Sequence, residues 1–99
     1  MSKKIVVLGG GISGLATAYW LHKEGFDVNV LEKNKEVGGA METVLVEGNL
    51  FDRGPNSGLE TTPVISKLVK DLKLDKELIY ANQEGNRRYI LRDNKLHAL

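Results

Sequence analysis

Apolar residues fall along the chain in short runs whose spacing changes from one segment to the next. Residues 5–8 are an unbroken apolar run with the composition of a buried parallel strand. Ile12, Leu15, Ala16 and Tyr19 then stand at helical offsets, which predicts a helix with one apolar face, stopped by Gly25. Residues 27–32 alternate toward an all-apolar end and predict a second strand, so the opening third reads as a βαβ unit. Residues 43–46 and 50–51 are β-prone and flank Glu47-Gly48-Asn49, the pattern of a hairpin. Residues 52–58 break all periodicity, with Gly54, Pro55 and Gly58 making a side-chain-poor loop suited to lying along a ligand. Thr61 or Thr62 is placed to cap a further helix, Pro63 suits its first turn, and Ile65, Leu68, Val69 and Leu72 give it an apolar face that would pack on a core. Asp75 is placed to cap a short turn containing Leu78 and Ile79. Residues 88–92 and 95–99 read as two strands joined by the two-residue turn Asp93-Asn94.

The glycines add chemistry to this pattern. Gly9, Gly11 and Gly14 follow the first strand and open the first helix in the G-x-G-x-x-G spacing of a dinucleotide-binding turn. Gly9 permits the turn out of the strand, Gly11 lets backbone approach a pyrophosphate, and Gly14 lets the helix pack closely on the strand. The helix that follows offers unpaired N–H groups and a positive dipole end to phosphates. Glu32 ends the second strand about twenty residues further on, where a carboxylate meets the ribose hydroxyls of an adenosine. The pair Gly38-Gly39 frees two successive amides to approach an anion or a flat ring, which fits a loop crossing the pyrophosphate and sugar-alcohol chain of a flavin.

Composition narrows the classes rather than choosing among them. With 41% hydrophobic and 27% charged residues, the chain has the make-up of a globular domain with room for a modest core. A net charge of +1 offers no basis for a nucleic-acid partner. The absence of cysteine excludes disulfides, thiolate metal sites and a cysteine nucleophile, and fits a reducing, cytoplasmic setting. No apolar run reaches the ~20 residues of a membrane span, and the chain enters its first strand without the pattern of a signal peptide. His22 reads as a surface histidine at the far end of its helix, and Lys67, Lys70, Lys73 and Lys76 as a solvated face rather than a membrane strip.

The glycine turn, Glu32, Gly38-Gly39, the loop Gly54-Pro55-Asn56-Ser57 and the closing segment 88–99 together resemble the N-terminal part of the protoporphyrinogen oxidase branch of the FAD-dependent amine-oxidase superfamily. The resemblance covers essentially the whole chain. It implies FAD as cofactor, held by Gly9, Gly11, Ile12, Ser13 and Gly14 at the pyrophosphate, by Glu32 with Lys33 at the adenosine ribose, and by Gly38, Gly39, Ala40 and Met41 along the ribityl chain. Gly54, Pro55 and Asn56 would lie near the isoalloxazine ring. Arg88, or Arg87 if the register slips by one, would pair with a propionate of a tetrapyrrole substrate, a role suited to the guanidinium fork.

The resemblance also implies a porphyrinogen substrate, either protoporphyrinogen IX or coproporphyrinogen III, molecular oxygen as oxidant, and a parent enzyme at the cytoplasmic face of a membrane. Glu36 and Ala40 stand where the superfamily often has arginines, so phosphate contacts would come mainly from backbone. No residue stands out as a general base, and no catalytic or metal-binding residue is assigned. The expected architecture is α/β: a Rossmann-like βαβ dinucleotide-binding fragment over residues 1–99 with additional β-hairpins and a helix. The substrate domain and a C-terminal flavin-contacting segment would lie outside it. Two other readings stay open: a carotenoid desaturase or amine oxidase of the same superfamily, and a non-catalytic nucleotide-binding module.

Overall fold

The computed structural model describes residues 3–99. Met1 and Ser2, where a leader would start, lie outside the described residues. The chain divides into two compact units, Met1–Leu59 and Glu60–Leu99.

In the first unit β1 (Lys4–Leu8) pairs in parallel with β2 (Asp27–Leu31), register Lys4↔Asp27 through Leu8↔Leu31. The connecting helix α1 (Ile12–Lys23) completes the expected βαβ unit. Its end is set by Gly25, whose φ of 88° no branched residue adopts cheaply. The Gly25 N–H donates to His22 O at 3.0 Å and the Phe26 N–H to Leu21 O at 3.1 Å, the double closure of a Schellman motif.

Three expectations need correction here. The strand at residues 5–8 is not buried on both faces: Ile5 and Val7 are half-buried, but Val6 is 56% and Leu8 81% exposed. A single crossover helix covers only one face of a two-stranded sheet, and the other stays bare. For the same reason no apolar side chain among the described residues is fully buried, so the anticipated core is absent. The single apolar face of α1 is also blurred. Half-buried residues include Leu15, Ala16, Ala18, Tyr19 and Leu21, whereas Ile12 is 58% exposed at the open end.

A hairpin follows, β3 (Glu42–Val46) with β4 (Asn49–Arg53), pairing Glu42↔Arg53 through Val46↔Asn49. Both strands are longer than their apolar residues suggest, and the turn is Glu47-Gly48 alone. Both residues have positive φ, 49° and 80°, as the two-residue hairpin turn demands. Polar cross-strand pairs extend the ladder at its open end. Thr43 Oγ1 donates to Asp52 Oδ1 at 2.7 Å, and Arg53 Nη1 to Glu42 Oε2 at 3.1 Å. The irregular loop therefore begins at Gly54, not at Asp52.

The second unit contains α2 (Pro63–Asp71), a 3-10 turn (Gln83–Asn86), and the hairpin β5 (Tyr89–Arg92) with β6 (Lys95–Ala98). Thr62 occupies the N-cap and Pro63 the first turn, as expected, although the Thr62 hydroxyl makes no capping bond. Leu68 and Val69 are half-buried, but Ile65 is 38% and Leu72 46% exposed, so α2 covers no core. The lysines do not form a helical strip: α2 ends before Lys73, and Lys67 is tied to Asp71 at 3.1 Å. Residues 75–77 form a turn that stops before Leu78 and Ile79, and Ile79 is 94% exposed. Glu60 accepts hydrogen bonds from Ser66 Oγ at 3.1 Å and Tyr80 OH at 3.0 Å, joining the segments that flank α2. No helix among the described residues is long and apolar enough to cross a membrane.

Candidate cofactor site

The βαβ crossover brings the loop after β1 beside the loop after β2. The Gly9 N–H donates to Leu31 O at 2.8 Å, prolonging the ladder, and the chain then turns through Gly9 at φ 101°. A Cβ on Gly14 would drive into Gly9 O, so the helix reaches the turn only because residue 14 has none. Gly9 and Gly14 thus act as the spacing predicts. Gly11 is the extended N-cap of α1, with no side-chain cap and no acidic residue in the first turn, so the positive end of the helix is left for a ligand.

Glu32 is held ready from two sides. Its Oε2 accepts from the Gly10 N–H at 2.6 Å and its Oε1 from the Asn34 N–H at 2.9 Å. The Asn34 and Gly10 amides, helped by the Lys33 amide and ammonium, pull the Glu32 carboxyl below the ordinary value near 4.5, against a smaller opposing effect of desolvation. An ionised carboxylate with two amides on it retains lone pairs for hydroxyl donors.

The glycine pair works differently from its sequence reading. The Gly38 N–H is not free for a ligand: it donates to Gly10 O at 2.8 Å, within a parallel bridge between Gly11 and Gly38. A Cβ on Gly38 would lie 2.7 Å from Met41 O, and one on Gly39 3.1 Å from Gly11 Cα. The pair is therefore needed to seat one loop on the other. Gly54, at φ 81°, obeys the same logic, since its Cβ would run into Ala40 O.

These contacts border an open cavity of about 490 Å³ whose lining includes Gly9, Gly11, Ile12, Ser13, Gly14, Gly38, Ala40, Met41 and Pro55. A second, of about 500 Å³, shares Met41 and Pro55 and adds Asn56 and Ser57. Gly39 lines a smaller recess of about 290 Å³ beside Asn34 and Lys35. Of the expected cofactor residues, nine meet in the first cavity, Asn56 in the second and Gly39 in the third. Glu32 acts on the turn through Gly10, Lys33 acts on the Glu32 carboxylate, and Gly54 packs against Ala40. Arg88 belongs to the second unit, before β5, where its carbonyl accepts from the Leu99 N–H at 2.8 Å.

Gly10 escaped the sequence reading because the motif leaves its position unspecified. It is buried, donates to Glu32 and accepts from Gly38, and its Cβ would meet Val37 Cγ1 at 3.0 Å and Glu32 Oε2 at 3.1 Å. The signal was the unbroken triplet of residues 9–11, one glycine more than the motif needs.

The donor set fits a dinucleotide. An uncapped helix end, backbone cleared of side chains and a preset carboxylate match pyrophosphate and ribose in turn. The family model for flavin containing amine oxidoreductases matches residues 12–98. The chain belongs to this family. As a member of the flavin containing amine oxidoreductases it has FAD as its cofactor. The chain is 36% identical to the coproporphyrinogen III oxidase of Bacillus subtilis over 98% of its length, but covers 22% of that protein. It is 38% identical to protoporphyrinogen oxidase 2 of Arabidopsis thaliana over 92% of its length, covering 18% of it. A solved structure assigned as a protoporphyrinogen oxidase of Exiguobacterium sp. 255-15 matches 99% of the chain at TM-score 0.78 and 30% identity, with 22% of that chain covered. The chain thus spans about a fifth of the length of these relatives.

Proposed function

We propose that this chain is the FAD-binding part of an enzyme that oxidises a porphyrinogen to the porphyrin, with molecular oxygen as final oxidant. The observation that carries the cofactor half is the Glu32 carboxylate, already held by the Gly10 and Asn34 amides beside an uncapped helix end. The substrate half rests on the likeness to coproporphyrinogen III and protoporphyrinogen oxidases. Bound FAD supplies the two-electron acceptor. The chain's own residues bind and orient: α1 opposes the pyrophosphate charge, Glu32 takes the ribose hydroxyls, and Met41 and Pro55 line both larger cavities. Arg88 is the anchor for a substrate carboxylate. We place the parent enzyme in the cytoplasm, in peripheral contact with a membrane.

Titration of the chain with ADP and with FAD, followed by amide shifts in NMR spectra, tests the cofactor half. Shifts centred on Gly9, Gly10, Gly14 and Glu32 with both ligands are expected. Unchanged spectra at millimolar ligand would overturn it.

A further inference from the structure

The β5–β6 hairpin carries a division of side chains that the cofactor site does not use. In its register Tyr89 faces Ala98, Ile90 faces His97, Leu91 faces Leu96, and Arg92 faces Lys95. Directly opposed residues share a face, and alternate residues along a strand return to it. One face therefore gathers Tyr89, Leu91, Leu96 and Ala98, without a charge. The other gathers Ile90, Arg92, Lys95 and His97. The Leu99 N–H to Arg88 O bond carries the ladder one step further and brings Arg88 to this second face. Ile90, Arg92, His97 and the acidic Asp93 line one open recess of about 390 Å³.

We propose that this face is a binding surface for a tetrapyrrole with carboxylates at opposite edges, Arg92 and His97 forming a second carboxylate subsite beyond Arg88. The proposal rests on the porphyrinogen reading above. Ile90, 50% exposed, offers an apolar platform, with Arg88 on one side of it and Arg92 on the other. The two arginines stand four residues apart, roughly 13 Å along a strand, a separation comparable to a macrocycle's width. The acid nearest Arg92 is Asp93, 3.7 Å away in an open pair with both side chains exposed, and such pairs yield readily to a better-placed carboxylate. A ring with four propionates reaches both subsites. One with two neighbouring propionates reaches only one, so the surface favours coproporphyrin over protoporphyrin.

The test is titration of this chain with coproporphyrin III and protoporphyrin IX, with citrate as a ringless polycarboxylate, reading the amide and side-chain signals of residues 88–99. Tighter binding of coproporphyrin, with shifts at Ile90, Arg92 and His97, is expected. Arg92→Gln and His97→Gln should each weaken coproporphyrin binding about three- to five-fold, as loss of an exposed polar contact does, and leave protoporphyrin, held at Arg88, unchanged. Lys76→Gln should change neither. Equal affinity for the two porphyrins, shifts confined to Tyr89, Leu91 and Leu96, no binding at all, or an equal response to citrate would each overturn the proposal. The readout involves neither FAD nor turnover, so it fails or succeeds separately from the ADP titration.

Discussion

Helices α1 and α2 end with the same pair of backbone hydrogen bonds but with different residues at the left-handed position. In α1 that position is Gly25; in α2 it is Lys73 at φ 58°, with the Lys73 N–H on Lys70 O at 2.9 Å and the Leu74 N–H on Val69 O at 2.9 Å. The contrast extends through both units. Among the described residues of the first, every left-handed position except Glu47 is a glycine; in the second, Lys73, Asp93 and Asn94 hold such positions and no glycine does. The reason lies in what surrounds each one. Gly38, Gly39 and Gly54 have another stretch of backbone where a Cβ would stand. Lys73, Asp93 and Asn94 sit in exposed turns, where a side chain meets only the intrinsic cost of the conformation. Glycine is thus obligatory where two loops close on the cofactor cavity and optional where a chain merely reverses.

Substitutions at these glycines and turns separate the two roles. The largest effect is expected for Gly14→Ala, whose methyl group would be forced into the Gly9 carbonyl. It should cost about 3 kcal/mol and abolish ADP binding. Urea unfolding followed by Trp20 fluorescence measures the first effect, and an unchanged midpoint would show that the turn is not cramped.

Next is Glu32→Gln, which leaves one acceptor oxygen for two amides and should weaken ADP about ten-fold by calorimetry. Because the folded-state pKa of Glu32 is depressed, its stabilising contribution is present above the ordinary carboxylate value near 4.5 and is lost as pH falls through the lower folded value. The wild-type urea midpoint should accordingly fall as the pH is lowered below about 4.5, and the Gln variant should show a smaller fall.

The helix ends should respond with opposite signs. Gly25→Lys is expected to destabilise and Lys73→Gly to stabilise, by about 1 kcal/mol each. Equal signs in thermal melts would mean that the two ends are not equivalent. The smallest change is Glu47→Asn, which creates the preferred Asn-Gly turn and should add about 0.5 kcal/mol to hairpin stability, read from amide exchange in β3 and β4.

Much of the site was legible before folding. Gly9, Gly14 and Glu32 were found by spacing because each satisfies a demand local to one turn or one strand end. The turn Asp93-Asn94 was legible for the same reason. Gly38 and Gly39 stand out in the sequence, but the Gly38 amide is engaged by Gly10 rather than free: a glycine that exposes an amide and a glycine that admits a neighbouring loop look identical in sequence. Gly10 was passed over because its role is set by Val37 and Glu32, more than twenty positions away. The burial expected of residues 5–8 and of α2 failed because periodicity reports which face is apolar and says nothing about whether another element covers it. The hairpin boundaries at Glu42 and Arg53 were missed because polar cross-strand pairs, not apolar residues, extend the ladder there.

Local sequence is enough for the βαβ order, the two hairpins, the helix starting at Pro63, and the residue types suited to a pyrophosphate and a ribose. These follow from local periodicity and from the special conformations of glycine and proline. The folded chain alone shows that the Gly38 amide is engaged by Gly10, that Gly54 must be bare because Ala40 lies against it, and that Arg88, Arg92 and His97 share one face of a hairpin. Each depends on which segments meet in space and in what register, and residue identities along a chain carry that information only once the backbone hydrogen bonds have closed.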